Sequence, residues 1–423
     1  MDLKHQHSEV NSPFPFAERS RSMERGLEGK ARIGIVLSSV PGYSETFFRN
    51  KIKGLQENGY KVILFVDYFK PSDTNSLCEV RVAPSFHKGI LKTFINTIKG
   101  LLSILFINPK KSLTLYQLDK KDGIAFRNRL KQLVRHQFLL SESLDWLHFG
   151  FGTMAIDREN VAKVIGAKMA VSFRGFDLYL SPLKHPDCYE QLFTKQVNYH
   201  VLSHKMKVSL MQRNISKDQI FVIPPAIDIS FFEYQANQHD QKVMKIVTVA
   251  RLHWIKGLEY SLQALSLLKE KGIHFEYVII GSGEEHERLV FAAYQLGLSE
   301  NVNFLGKVSQ AEVKNQLELA DIYLQYSIQE GFCNAVLEAQ AMGLLCVVSD
   351  ADGLTENVLH EQTGWVVPKR QPELLARVLE EVSRLQKSEQ ERIRENAIKR
   401  VRNNFNLEQQ KAAFVNFYQT IGS

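Results

Sequence analysis

The sequence contains few cysteines, and they form no metal-binding or disulfide pattern. Four cysteines are scattered through 423 residues, with no C-x-x-C pair and no Cys/His cluster. This spacing argues against a disulfide scaffold and against a zinc module. Hydrophobic residues make up 44% of the chain and charged residues 23%, which indicates a globular protein with a sizeable core.

Long apolar runs are also missing from the sequence. No stretch approaches the roughly 20 continuous apolar residues that span a bilayer. Residues 1–30 are polar and charged and lack the apolar core of a signal peptide, so we expect them to form a mobile tail. The sequence therefore predicts a soluble or peripheral protein located in the cytoplasm.

Positive charge is concentrated in one part of the chain. The net charge is +7, yet residues 81–135 hold twelve lysines and arginines against Asp119 and Asp122, a local charge of +10. Such a local excess predicts an anionic partner. Nucleic acid is not the expected partner, because the region lacks interleaved base-stacking aromatics and a recognised nucleic-acid-binding module.

The segment from 86 to 111 combines lysines with bulky apolar residues and has no acidic residue. Lys88, Lys92 and Lys99 lie at spacings of four and seven, close to one helical face. Because such a helix can lie in a bilayer interface, residues 86–135 are predicted to bind an anionic membrane surface. The competing interpretation is a core helix with a solvated basic edge.

From residue 32 onward, short β-branched runs alternate with helical periodicity. Strands are predicted at 32–37, 61–66, 144–149, 168–173, 198–202, 221–223, 245–250, 276–280, 302–305, 321–326 and 345–349, and helices at 44–58 and 371–404. This alternation predicts an α/β protein with two doubly wound, Rossmann-like domains. The predicted domains are 31–235 and 236–405, and a helix at 406–423 is expected to return to the first domain.

Ligands bind doubly wound sheets at the carboxyl ends of strands, so the loops there are the first places to search. The loop beginning at Ser327 follows a predicted strand and opens a helix. Gly331 allows close backbone approach, and the amides of residues 332–334 form an anion site at the helix start. Glu330 and Glu338 suit sugar hydroxyls, which donate hydrogen bonds. The alternative is a capped helix with a solvated Glu338.

A second loop, at residues 249–257, carries two cations. Arg251 and Lys256 are able to reach one diphosphate, the first as a planar fork and the second as a point charge. Taken alone, two loop cations are more often simply solvated. A neighbouring anion site at the start of a helix favours the diphosphate interpretation.

These motifs together resemble a known enzyme family. The E-x7-E spacing of Glu330 and Glu338, the R-L-x-x-x-K-G stretch of Arg251 and Lys256, and the loop 281–283 resemble the retaining family-four glycosyltransferases. The resemblance implies the GT-B fold, in which two Rossmann-like domains face each other across a cleft. It also implies a nucleotide-sugar donor held mainly by the second domain.

The resemblance implies a role for each of these residues. Arg251 and Lys256 would hold the diphosphate. Glu338 would bind the ribose hydroxyls, and Glu330 would contact the donor sugar near the reacting carbon. The remaining donor-binding positions are Gly331, Phe332, Cys333, Asn334, Gly281 and Gly283.

Matches in the first domain are looser and resemble most the bacterial exopolysaccharide glycosyltransferases of the colanic-acid type. They imply acceptor-side or sugar-side roles for Ser44, Glu45, His148, Arg174 and Asp177. Local alternatives exist for each position. Ser44 is a plausible helix N-cap, His148 a packed or hydrogen-bonded histidine, and Arg174 an internal partner of Asp177.

No metal and no cofactor are expected. Asp350 and Asp352 form a D-x-D triplet, but related families with this fold need no metal there. A dehydrogenase is disfavoured, because the stretch 281–286 lacks the third glycine of a dinucleotide fingerprint. A P-loop is absent as well.

The predicted function is a retaining glycosyltransferase that moves a sugar from a nucleotide-diphosphate sugar to a polysaccharide precursor, with a lipid-linked acceptor expected. Two alternatives stay open. The acceptor is a soluble small molecule in the first, and the chain is a non-catalytic nucleotide-sugar-binding protein in the second.

Overall fold

Two parallel β-sheets organise the molecule. The computed structural model describes residues 30–42, 46–69, 77–86, 89–234 and 243–420. The first sheet comprises β1 Lys30–Leu37, β2 Tyr60–Val66, β3 Glu79–Val82, β4 Trp146–Phe149, β5 Lys168–Ser172, β6 Asn198–Val201 and β7 Ile220–Val222. The second comprises β8 Met244–Val249, β9 Phe275–Ile280, β10 Val302–Gly306, β11 Ile322–Gln325, β12 Leu345–Ser349 and β13 Trp365–Val367.

Helices connect the strands of both sheets. Those before β8 are α1 Thr46–Glu57, α2 Ile90–Leu102, α3 Pro109–Lys121, α4 Phe126–Arg135, α5 Gln137–Leu140, α6 Gly152–Ala155, α7 Val161–Ile165, α8 Ser181–Lys184, α9 Glu190–Phe193 and α10 His204–Met211. Those after it are α11 Leu258–Glu270, α12 His286–Gln295, α13 Gln310–Glu318, α14 Asn334–Ala341, α15 Leu354–Asn357, α16 Pro372–Ser383, α17 Lys387–Asn404 and α18 Leu407–Thr420. Short π-helical turns occur at Ser103–Ile107 and Phe176–Leu180, and 3-10 turns at Lys217–Gln219 and Trp254–Lys256.

Strand order determines where each sheet opens toward a ligand. The first sheet runs β3-β2-β1-β4-β5-β6-β7, and the second runs β10-β9-β8-β11-β12-β13. The direction of winding reverses between β1 and β4 and again between β8 and β11. Loops that leave the two strands at such a reversal diverge to opposite faces, which opens a crevice at the carboxyl edge. In the second domain, that crevice is bounded by the loops after β8 and β11.

The structure confirms the two doubly wound sheets and corrects several details. Strands β3 and β13 were missed, because four- and three-residue strands at sheet edges leave little pattern. The single helix predicted at 371–404 was wrong. It is two helices, α16 and α17, separated where Gln386 adopts extended backbone.

The final helix, α18, packs against the first domain rather than the second. Phe414, Phe417 and Tyr418 are buried in the same apolar cluster as the strands at the centre of the first sheet. Phe417 lies 5.7 Å from the Trp146 ring of β4. The predicted domain boundary near residue 235 lies outside the described residues.

Candidate active site

The loops after β8 and β11 meet at the crevice of the second domain. The Ile328 N–H donates to the Ile255 carbonyl at 2.8 Å, which joins one loop to the other. Gly257 ends the 3-10 turn with φ +62, and a Cβ there would lie 2.2 Å from the Tyr326 carbonyl oxygen. Since any other residue would clash and be strained, the K-G pair of the motif has a structural cause. Lys256 is thereby brought beside the β11 loop.

Lys256 and Glu330 form an ion pair within this crevice. Both side chains are mostly buried, with 18% and 13% of their surfaces exposed. Burial lowers the pKa of Lys256, but the Glu330 carboxylate outweighs it and holds that pKa above its usual value. The Ser327 hydroxyl also lies 3.3 Å from the same carboxylate oxygen. The site therefore holds a permanently charged lysine next to a carboxylate.

Glu338 lies in α14, one turn from its start rather than the two turns that the sequence suggested. Its side chain is half-buried, and desolvation raises its pKa to about 7. Glu330 and Glu338 thus differ in electrostatic environment although they belong to one motif. A desolvated carboxylate is a strong acceptor for hydroxyl groups that enter the site.

The loop after β9, which carries Gly281 and Gly283, lies against the β8 loop. The Ala250 N–H donates to the Ile280 carbonyl at 2.9 Å, and the Leu252 N–H donates to the Ser282 carbonyl at 3.1 Å. Arg251, between these two anchored residues, has an exposed side chain. The three predicted donor loops therefore lie side by side at the carboxyl edge of the second sheet.

Asn357 holds the start of α14 in place. Its side-chain amide donates to the Cys333 carbonyl at 3.0 Å, and its side-chain oxygen accepts from the Cys333 N–H at 3.0 Å. Cys333 itself is buried, and desolvation raises the pKa of its thiol to about 12, so it stays protonated. Phe332 is also buried and packs 5.6 Å from the Phe405 ring. Asn334 begins the helix, with a half-buried side chain.

Gly331 is one of the points at which the second domain meets the first. A Cβ on Gly331 would lie 3.0 Å from the Arg174 carbonyl oxygen and 3.1 Å from the Gly175 Cα. The loop after β5 therefore closes one side of the crevice. Across the same cleft, the Glu356 carboxylate accepts the backbone N–H groups of His204 and Lys205, at 2.9 Å each.

Arg174 and Asp177 lie at this domain boundary. Asp177 is buried and accepts the backbone N–H groups of Arg174 at 2.7 Å and Gly152 at 2.8 Å, so it fixes the loop that carries Arg174. Burial raises the pKa of Asp177. The Arg174 guanidinium stacks 3.8 Å above the Phe47 ring of α1. Arg174 thus bonds to Asp177 through its backbone N–H group.

His148 does not face the cleft, which corrects the sugar-side position expected for it. It is fully buried, with Nδ1 2.6 Å from the Tyr418 hydroxyl and Nε2 2.8 Å from the Ser172 hydroxyl. Burial first, and Lys51 next, hold the pKa of His148 well below its usual value, so the imidazole is neutral. The packed-histidine alternative describes it correctly.

The remaining predicted positions are either engaged in other contacts or outside the described residues. Asp350 accepts the Lys369 N–H at 2.9 Å, and Asp352 accepts a hydrogen bond from the Gln329 amide. Within the described ranges, His, Cys, Asp and Glu residues form no cluster of three suited to a metal. Ser44 and Glu45 lie outside the described residues.

Sequence reasoning assigned no role to three residues that shape the site, although the quoted K-G motif contains one of them. They are Asn357, Glu356 and Gly257. Gly257 had a detectable signal, since it directly follows the motif lysine. Asn357 and Glu356 lie next to the loop that follows β12, but their partners are 24 and 152 residues away along the chain, a pairing that no local pattern reveals.

Comparisons with known proteins agree with this arrangement. Residues 231–400 match the family model described as glycosyl transferases group 1. The amylovoran biosynthesis glycosyltransferase AmsK of Erwinia amylovora is 30% identical over 55% of this chain and 59% of its own length. WcaL of Escherichia coli, ascribed to colanic acid biosynthesis, is 28% identical over 89% of this chain and 96% of its own length.

Solved structures share the architecture at lower sequence identity. The crystal structure of Anabaena HepE in complex with UDP has a TM-score of 0.69 and 14% identity, covering 92% of this chain and 100% of that chain. The fold is thus the GT-B architecture of two Rossmann-like domains that face each other across a cleft. More particularly, residues 231–400 are a group 1 glycosyltransferase domain, and the predicted family resemblance is confirmed.

Proposed function

We propose that the chain transfers a sugar from a nucleotide-diphosphate sugar with retention of anomeric configuration. One observation carries the proposal: the winding reversal between β8 and β11 brings Lys256 and Glu330 into contact beside the loop that opens α14. A diphosphate placed there meets Lys256, the exposed Arg251 and the first amides of α14. The ribose hydroxyls are assigned to Glu338.

The reaction follows from this placement. The bond between the anomeric carbon and the diphosphate oxygen breaks, and its electron pair leaves on the diphosphate. The acceptor hydroxyl oxygen bonds to the same face of the sugar, and its proton passes to the leaving diphosphate. Lys256 and Arg251 stabilise the negative charge that develops on the leaving group. Glu330 contacts the donor sugar and orients Lys256 through their ion pair.

Metal independence belongs to the same proposal. Two cations, Arg251 and Lys256, face the position of the diphosphate and supply the charge that a divalent ion otherwise provides. The buried lysine keeps its proton at neutral pH, because Glu330 holds its pKa up. Activity in excess chelator is therefore the expected behaviour.

The acceptor is proposed to be a lipid-linked polysaccharide precursor at the cytoplasmic face of a membrane. Two relatives, AmsK and WcaL, are named for amylovoran and colanic acid biosynthesis, and they support this acceptor class. An exposed apolar helix in the first domain also supports it. A soluble small-molecule acceptor is the alternative, and the acceptor side of the cleft includes Arg174.

The test begins with a panel of nucleotide sugars, screened by thermal shift and then by hydrolysis of the best binder. Glu330→Gln is expected to cut transfer or hydrolysis at least about 100-fold while the protein still folds, because the carboxylate acts at the reacting sugar. Arg251→Ala and Lys256→Ala are expected to weaken nucleoside-diphosphate binding as well as the rate.

Lys271 and Glu380 provide the matched control, since they form an ion pair on the outer surface of the same domain. Glu380→Gln is expected to retain wild-type rates. Wild-type turnover in Glu330→Gln contradicts the site assignment. Binding of a nucleotide sugar without any hydrolysis or transfer by the wild-type protein favours the non-catalytic alternative.

A further inference from the structure

The helix α2 and its π-helical continuation present their polar side to the protein and their apolar side to the outside. Thr93 donates to the Phe86 carbonyl at 3.0 Å, and the Asn96 amide donates to the Ser85 carbonyl at 2.7 Å. Two turns further on, the buried Ser103 donates to a side chain of α5. A helix on a water-exposed surface has the opposite arrangement, with its apolar stripe toward the core.

The outward side of this segment is continuously apolar. Ile90 is 92% exposed, Phe94 62% and Phe106 77%. The exposed apolar residues of the segment are Ile90, Leu91, Phe94, Ile95, Ile98, Leu101, Leu102, Leu105, Phe106 and Ile107. On a helical wheel they cover nearly half of the circumference, and single exposed apolar residues do not form such a surface. The competing interpretation, a core helix with a solvated basic edge, is therefore wrong.

Cations border this apolar surface, and the acids of the region face inward. Exposed lysines and arginines on the segment and on the neighbouring α3 and α4 are Lys92, Lys99, Lys110, Lys120, Lys121, Arg127, Lys131 and Arg135. Asp119 is buried against the Asn160 amide, and Asp122 pairs with Lys195. The outer surface here is thus apolar and positively charged, because both acids of the region are bonded to groups on its inner side. Lys88 lies outside the described residues.

The segment 90–107 is long and apolar enough, by length and composition, to cross a membrane, which corrects the expectation that no segment would be. Its neighbours in the chain argue against crossing. The residues just before it are tied to α2 by the Thr93 and Asn96 bonds, and α3, directly after it, packs on α4 and α7 of the same domain. Gly100, in its middle, lies against Val134 of α4. Both ends of the segment 90–107 would therefore stay on the same side of a membrane.

We propose that the outward side of residues 90–107 inserts into the interface of an anionic bilayer, parallel to the membrane plane. The apolar side chains enter the boundary between headgroups and acyl chains, and the bordering cations contact anionic headgroups. A second copy of this chain is a poorer occupant, because two such faces would bring like charges together. The inference does not depend on the proposed reaction, since binding to vesicles needs neither donor nor acceptor.

Co-sedimentation with lipid vesicles tests the proposal. The full chain is expected to pellet with phosphatidylglycerol-containing vesicles and not with phosphatidylcholine alone. Recovery is expected to fall at about 1 M salt, where the Debye length is about 3 Å. Phe94→Ser combined with Phe106→Ser, and separately Lys92→Glu combined with Lys99→Glu, are each expected to lower vesicle affinity by at least about tenfold.

Matched controls lie on the second domain. Phe291→Ser with Tyr294→Ser removes two exposed aromatics from α12, and Lys387→Glu with Lys399→Glu reverses two exposed lysines of α17. Both control variants are expected to bind vesicles like the wild type. Thermal unfolding and circular dichroism confirm that all variants fold.

Three outcomes overturn the proposal. Equal recovery with neutral and anionic vesicles, or no recovery with either, excludes an anionic membrane surface as the partner. Unchanged vesicle binding by the variant with serine at Phe94 and Phe106 excludes insertion of the apolar face. A lipid-free dimer that the same variant converts to a monomer, without vesicle binding by the wild type, assigns the face to a second copy of the chain.

Discussion

Glu330 and Glu338 show how one motif produces two different carboxylates. Glu330 is neutralised by Lys256, so its charge belongs to an ion pair. Glu338 is desolvated instead, and burial raises its pKa to about 7 from an ordinary value of 4.5. The environment of Glu330 therefore suits a position beside the diphosphate, whereas the environment of Glu338 suits the recognition of hydroxyl groups.

Glu338→Gln is expected to change stability in a pH-dependent way. Because the pKa of Glu338 is raised in the folded state, its contribution to stability is full below about pH 4.5 and is lost as the pH rises to about 7. The loss amounts to at most about 3 kcal/mol. The variant should therefore gain thermal stability relative to the wild type as the pH increases from 5 to 8, measured by thermal unfolding.

The same variant should bind nucleoside diphosphate more weakly at pH 8, because the ionised carboxylate is the better acceptor. Glu300→Gln, at an exposed position of the same domain, serves as the control and should show neither effect. A stability difference that is flat with pH, or that shrinks as the pH rises, contradicts the desolvated state of Glu338.

Residue chemistry at the crevice was predictable from the sequence where both partners belong to recognisable motifs. The motifs put Lys256 and Glu330 in two neighbouring loops, and in the structure the two side chains form an ion pair. The diphosphate role of Lys256 stays a prediction. The partner of His148 was not predictable, because Tyr418 lies 270 residues further along the chain. The burial of His148 depends on α18, and the sequence predicted the return of that helix without showing which side chains it would meet.

At the scale of elements, the position of α14 depends on a short helix that follows the next strand. Asn357 at the end of α15 bonds both backbone groups of Cys333, the residue that precedes α14. The two bonds keep the loop that contains Gly331 against the first domain. The donor site therefore depends on a residue that touches no proposed ligand.

Asn357→Ala is expected to leave two buried backbone groups without partners. Each unsatisfied group costs about 1–3 kcal/mol, so the midpoint of thermal unfolding should fall by several degrees. Nucleoside-diphosphate affinity should fall as well, because the loop is no longer fixed.

Asn315→Ala is the matched control, since that side chain is exposed on α13 and bonds Glu312 of its own helix. It should leave both quantities unchanged. If Asn357→Ala lowers stability but leaves the affinity unchanged, the positioning role is contradicted.

Element types were predictable where the hydrophobic pattern is strong, and less so where packing decides. The predicted bounds of the central strands lie within two residues of the observed bounds, because buried parallel strands appear in the sequence as continuous apolar runs. The sequence predicted that helix α2 is basic and apolar, but only the three-dimensional structure shows which side of the helix faces the protein. The inward direction of Thr93 and Asn96 depends on where the preceding backbone lies.

At the scale of the whole molecule, the domains touch through backbone groups on both sides of the cleft. Gly331 approaches Gly175, and Glu356 accepts the first N–H groups of α10. Glu356 thereby acts as a helix cap supplied by the opposite domain. Since these contacts join the loop that opens α14 to the loop after β5, the geometry of the donor and acceptor sides is linked.

The return of α18 means that the polypeptide crosses between the domains twice. The crossings lie side by side, because the Ile227 N–H donates to the Phe405 carbonyl at 3.0 Å and the Gln410 amide donates to the Pro224 carbonyl at 2.8 Å. A backbone cut between the domains would thus leave a C-terminal fragment whose last helix completes the core of the N-terminal fragment.

Residues 1–238 and 239–423, coexpressed as separate chains, should consequently reconstitute a stable heterodimer that copurifies. Replacing Phe414 and Phe417 by serine should abolish this complementation, whereas Lys387→Glu on α17 should not affect it. Copurification of the two unmodified fragments is the expected result, and fragments that separate during size-exclusion chromatography contradict it. Helix α18 would therefore be sufficient to hold a severed second domain to the first domain.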